Sequence, residues 1–199
     1  MTTLAPSASP PTKTWPPEQG QWTYEDWLRL PDDGFRYEVL NGELFMAPPP
    51  ALDHQRSSMS LSARMWLYAT QNDWGEVLEA PVGVRLPDQP VPFQPDILFV
   101  RKERRHILGG NYVEGAPDLI VEILSPGNWT YDRKEKFQAY RDAGVAEYWI
   151  VDYRARTIEV FSLEAGEYAL LGKYGISETA RSVVLAGFAV KVDEVFVSQ

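Results

Sequence analysis

The chain has 199 residues, no cysteine, two histidines and a formal net charge of −9. At ~150 residues per domain this is one domain with a tail, and its composition excludes disulfide scaffolds, thiolate zinc sites and cysteine nucleophiles. No run of ~18 uncharged apolar residues is present, and no basic region followed by an apolar run opens the chain, so a cytoplasmic protein with no membrane partner is expected.

Five prolines among Ser, Thr and Ala mark residues 1–20 as a disordered tail, with one domain over 21–199. Thr23-Tyr24-Glu25-Asp26 reads as a capping box opening a short helix to about Leu30, stopped at Pro31. Asn41-Gly42 between apolar-rich runs predicts a hairpin, because a type I′ turn needs φ > 0 twice. A helix is expected over Asp53 to about Gln71, with Met59, Ala63, Trp66, Leu67 and Thr70 on its apolar stripe. Strands follow near 75–80 and 82–86, then a proline-rich loop.

Asp96-Ile97-Leu98-Phe99-Val100 reads as a buried strand, 101–116 as a loop, and Asp118 to Leu124 as another strand. After a turn at Ser125-Pro126-Gly127-Asn128, a helix from about Thr130 to Ala143 stops at Gly144. Glu147 to Val151 is a further buried strand, and β-rich segments close the chain between Thr157 and Val197. Strands, helix, then strand predict an α/β (α+β) fold: a mixed sheet with a crossover helix.

Asp96 and Glu122 stand in strands that are otherwise apolar. Ile120, Glu122 and Leu124 share one strand face, and a buried carboxylate must be paired, metal-bound or protonated. The plainer alternative is a strand-end charge, or a salt bridge to an arginine. Asp118 lies about 13 Å from Glu122 along the same strand, at ~3.3 Å per residue, so one ion cannot bridge the two. Asp96 can meet Glu122 if their strands are neighbours, ~4.8 Å apart. Two carboxylates of this kind suit a hard cation, Mg²⁺ or Mn²⁺.

Asp132, Lys136 and Tyr140 share one helix face. Lys136 is either half of a surface salt bridge or a cation aimed at the carboxylates, to activate water or steady phosphate charge. Arg101, Arg104 and Arg105 are candidate phosphate contacts, or a solvated charge run. Trp129 is the aromatic expected to line a cleft. The net charge argues against broad nucleic-acid binding, although residues 96–141 hold eight basic against seven acidic residues.

Asn41-Gly42-Glu43-Leu44, His54-Gln55, Gln94-Pro95-Asp96, Ala116 through Glu122-Ile123-Leu124-Ser125-Pro126, Asp132 through Lys136 to Tyr140, and Gly144 through Trp149 to Asp152 form an ordered set. This set resembles the Uma-type putative restriction endonuclease family of the PD-(D/E)XK nuclease superfamily, from about Trp22 to Phe196. The resemblance implies a restriction-endonuclease-like αβββαβ core with extra C-terminal strands, and Mg²⁺-dependent hydrolysis of DNA phosphodiesters. It makes Asp96 and Glu122 the metal carboxylates, adds the Ile123 carbonyl as a candidate ligand, and gives Glu43 and His54 ancillary places. Leu124 stands where the superfamily usually carries lysine, and Lys136 on the following helix takes that role.

Two functions are therefore weighed. One is a metal-dependent endodeoxyribonuclease. The other is a nuclease-fold binding or assembly module with little turnover, which the acidic charge favours. A homodimer through exposed apolar residues of the C-terminal strands is also considered.

Overall fold

The computed structural model describes residues 15–89, 91–125 and 131–196. Residues 1–14 of the expected tail, most of the turn after Ser125, Trp129 and the Asp132 side chain lie outside it. Residues 15–20 are tied down rather than tail-like. Gln19 donates to the Leu44 carbonyl at 2.9 Å and accepts from the Leu44 N–H at 2.7 Å, and Trp15 packs edge-on against Trp22.

Helix α1 (Tyr24–Trp27) opens on the expected capping box. Asp26 N–H donates to Thr23 Oγ1, and Thr23 N–H donates to the Asp26 carboxylate. Strands β1 (Arg36–Leu40) and β2 (Glu43–Ala47) pair antiparallel. Asn41 and Gly42 between them have φ of 52° and 78°, as a type I′ turn requires. Glycine is needed at 42 for a second reason: a Cβ there would sit 2.5 Å from the Gly20 carbonyl oxygen.

Helix α2 (Leu52–Gln71) has the expected span but the opposite orientation. Met59, Trp66 and Leu67 are exposed, while Ser57, Ser58, Leu61, Ser62, Met65 and Ala69 face inward. The reason lies in β3 (Gly75–Glu79): Ser58 and Ser62 donate to the Glu79 carboxylate at 2.6 and 3.1 Å. Those small hydroxyls satisfy a carboxylate that a larger apolar face would strand.

Strand β4 (Gly83–Arg85) leaves the main sheet, and β5 (Ile97–Arg101) enters it. The expected loop after Val100 instead holds a 3₁₀ turn at Lys102–Ile107 and strand β6 (Tyr112–Glu114), which pairs in parallel with β4. Strand β7 (Leu119–Ile123) is followed by a π turn at Tyr131–Lys136 and helix α3 (Phe137–Asp142). Strands β8 (Glu147–Asp152), β9 (Thr157–Glu164) and β10 (Glu167–Tyr174) complete the sheet. Strands β11 (Thr179–Arg181) and β12 (Ala189–Lys191) form a small hairpin before α4 (Val192–Val195).

Among the described residues the main sheet has six strands in the order β10-β9-β8-β7-β5-β3. Only the β7–β8 pair is parallel, and the crossover joining it carries the π turn and α3. Both faces are covered, so the strands read as near-continuous apolar runs. Odd-numbered residues of β5 and β7 pack with Leu61, Met65 and Val195 on the face under α2 and α4. Even-numbered ones pack with Tyr140, Val145 and Tyr148 on the face under α3. No described helix is long and apolar enough to cross a membrane.

Candidate active site

β5 and β7 are antiparallel, with Ile97 opposite Val121. Continuing that register by one step sets Asp96 opposite Glu122. Directly opposed residues point to the same face, with Cβ atoms about 5 Å apart. Both carboxylates thus emerge on the α3 face, where the strands open toward a cavity of about 280 Å³. Asp96, Glu122, Ile123, Lys136, Arg36 and His54 line it. Asp96 and Glu122 are only 3% and 1% exposed.

Asp96 is held by groups from three elements. Ile123 N–H donates to Oδ2 at 2.8 Å, across the strand pair. Arg36, from β1, brings both guanidinium nitrogens within 3.3 Å of Oδ1. His54, in the first turn of α2, places Nε2 3.3 Å from Oδ2. Burial alone would raise the Asp96 carboxyl. The His54 and Arg36 interactions and the Ile123 N–H outweigh it and hold the group below its ordinary value.

Glu122 is met from α3 and the π turn. Lys136 Nζ lies 3.1 Å from Glu122 Oε1, and Tyr140 O–H donates to the same oxygen at 2.6 Å. Burial, with the nearby Glu122 charge, raises the Tyr140 hydroxyl well above its ordinary value, so it stays a donor. Lys136 is 1% exposed, and its second carboxylate is Glu38 Oε2, also at 3.1 Å. The π turn matters here: Lys136 is its last residue, and the wider winding resets which way the next helix face points.

The expected trio of Asp96, Glu122 and Lys136 therefore converges, and His54 and Ile123 join it. Glu43 does not: it is exposed at the start of β2, outside the cavity lining. The hairpin supplies Arg36 to the cavity lining and, behind it, Glu38 as the second carboxylate of Lys136; sequence reasoning missed both. The usable signal was their i, i+2 spacing on one strand face, beside an apolar Val39-Leu40.

Arg101, Arg104 and Arg105 are not at the site either. Asp96 immediately precedes β5 and Arg101 ends it, about 17 Å away at ~3.4 Å per residue. Arg104 pairs with Asp118 at 3.0 Å and donates to the Ala116 carbonyl, while Arg105 approaches Glu76. All three side chains stay partly exposed beside these contacts.

Among the described residues, no three His, Asp or Glu side chains are gathered as a ready-made ion cage. The donor set still fits a hard cation. Magnesium keeps several waters and takes one or two carboxylates, and Asp96 and Glu122 supply two on one wall. Glu38, Asp96 and Glu122 carry three negative charges against two positive charges on Arg36 and Lys136. That excess of carboxylates over Arg36 and Lys136 favours a cation at the site. His54 Nδ1 is buried and makes no hydrogen bond.

The fold, a mixed six-stranded sheet with helices on both faces, is restriction-endonuclease-like. A crystallised nuclease of the DUF820 group from Anabaena variabilis, itself described as putative, superposes with a TM-score of 0.72. The match covers 88% of this chain and 97% of that one at 18% identity, and shows the shared fold. The family model Uma2, described as "Putative restriction endonuclease", matches residues 24–193, and the chain belongs to that family. It is also similar to the uncharacterised Synechocystis protein sll1609, 23% identical over 123 residues, which are 61% of this chain and 69% of that one.

Proposed function

We propose that the protein is a Mg²⁺- or Mn²⁺-dependent endonuclease hydrolysing DNA phosphodiesters. One observation carries this reading. Two buried carboxylates from neighbouring strands share a cavity with a buried lysine 3.1 Å from one of them. Asp96 and Glu122 would hold the cation, with the Ile123 carbonyl as a further oxygen donor. When bound, the cation supplies Lewis-acid stabilisation of charge on the phosphoryl group.

The chain's own groups do the rest. Arg36, His54 and the Ile123 N–H fix the Asp96 carboxylate in its ionised form. Tyr140 orients Glu122. Lys136, held between Glu38 and Glu122, would donate to water or to a phosphate oxygen in the cavity. Water adds through oxygen to phosphorus, the bond from phosphorus to the leaving sugar oxygen breaks, and that oxygen ends protonated. Glu38 is a positioning residue: its carboxylate holds Lys136 Nζ at 3.1 Å.

The binding-module reading rests on a different observation. Arg36 and Lys136, the basic groups of the cavity wall, both already face carboxylates in a chain of net charge −9. Cleavage of plasmid and single-stranded DNA with Mn²⁺, with EDTA and with Glu122→Gln, separates the two. Metal-dependent cleavage lost in the variant supports the nuclease. Metal binding without cleavage across substrates supports the module.

A further inference from the structure

α2 presents a second surface that the cavity does not use. Leu52, Arg56, Met59, Ala63, Trp66 and Thr70 are all exposed. They recur at intervals of 4, 3, 4, 3 and 4, the seam spacing of two packed helices. Met59 is 63% and Trp66 55% exposed. No acidic residue occurs from His54 to Gln71, in a chain holding 28 acids. Arg56, the one charge on the stripe, is paired with Asp53 at 2.8 Å. Met59, Ala63 and Trp66 also border a hollow of about 210 Å³ whose other wall is Val77, Leu78 and Glu79 of β3. β3 is an outer strand of the six-stranded sheet.

We infer that a second copy of this chain docks here, α2 lying antiparallel to α2 about a two-fold axis at Ala63. The stripe is complementary to itself under that operation. Ala63 meets its own equivalent, where a lone methyl lets the helix axes approach to about 8 Å. Reversal about residue 63 sets Met59 beside the partner's Trp66 and Leu67, a thioether against an aromatic face.

Charge favours the same occupant. Two copies of net charge −9 repel wherever their acids face each other, and the acid-free face of α2 is where they can meet. The area suffices: α2 is about 30 Å long, and with the edge of β3 the face covers about 600 Å² per copy, the lower bound of a specific interface. The C-terminal strands make a poorer contact. Leu170 and Leu171 lie on β10, at the opposite edge of the sheet, on a strand that also carries Glu167 and Lys173.

Because the protein has no cysteine, Ala63→Cys and Leu170→Cys each create a single thiol. Sedimentation equilibrium of the full chain should show a dimer. Mild oxidation should link most of Ala63→Cys into a disulfide dimer and leave Leu170→Cys unlinked. Trp66→Glu should weaken association about thirtyfold or more, the effect of losing a central aromatic anchor, with an unchanged circular dichroism spectrum showing it folded. A monomer at every concentration overturns the inference. So does linkage through position 170 instead of 63, or linkage of position 63 only to some other protein.

Discussion

The two ends of β5 and β7 each bury an aspartate among arginines, and only one end is a site. At one end Asp118 accepts the Arg101 N–H at 2.9 Å and pairs with Arg104 at 3.0 Å. At the other, Asp96 accepts the Ile123 N–H and pairs with Arg36 and His54. The local chemistry is nearly the same. What differs is the company. Asp118 is closed off by residues of its own connection, which is a structural solution. Asp96 shares a cavity with Glu122 of β7, Lys136 of the π turn and Arg36 of β1, and Glu38 of β1 backs Lys136. A buried carboxylate is ordinary; carboxylates converging from several elements on an open cavity are not.

The sharpest way to break that contrast is to remove the charge on one partner. Glu122→Gln keeps the shape of the side chain and should lower DNA cleavage by about a hundredfold to a thousandfold or more, with the fold retained by circular dichroism. The matched change at the other end, Asp118→Asn, should leave cleavage within twofold of wild type.

Lys136→Met should have the largest effect on stability. It leaves Glu38 and Glu122 buried without their shared cation, a loss of about 3–5 kcal/mol by denaturant unfolding. Replacing Glu38 by Gln in the same chain should recover part of that loss, because one of the stranded charges goes with it. No recovery would show that the Glu38–Lys136 contact is incidental. Asp118→Asn should cost about 2 kcal/mol, the scale of hydrogen bonds to a charged group. That is a stability effect without a functional one.

Acid titration offers a finer test. The Asp96 carboxyl is depressed in the folded protein, so its contribution is complete above the ordinary aspartate value near 4 and is lost as pH falls through its lower folded value. Unfolding free energy measured from neutral pH down to strong acid should therefore fall less steeply in Asp96→Asn than in wild type over that lowest range. An identical slope would mean that the contacts of Asp96 do not favour its ionised form. Smallest of all, Arg105→Ala should change neither cleavage nor stability measurably, since its one ion pair is an exposed contact at 4.0 Å.

Much of this was legible in the sequence because the signals were local or periodic. Asn41-Gly42 permits few conformations, and a carboxylate inside Ile120-Glu122-Leu124 stands against its own face. Lys136 and Tyr140 fall on one helix face, and both reach Glu122. The remainder depends on where elements land. Glu43 and Glu38 sit on facing strands of one hairpin, and only the way that hairpin docks decides which of them reaches Lys136. The apolar stripe of α2 points away from the core, against the rule that apolar residues face inward. Instead Ser58 and Ser62 are drawn in by Glu79, and Trp66 is left outside. Nothing in the sequence announces that Arg104 turns back onto Asp118.

The most direct measurement is Mn²⁺ binding, by calorimetry or electron paramagnetic resonance, to wild type, Asp96→Asn, Glu122→Gln and Asp118→Asn. One site should be seen in wild type and in Asp118→Asn, and it should be lost in the other two. Equal binding in all four proteins, or loss of binding only in Asp118→Asn, would contradict the assignment of the cavity as the metal centre.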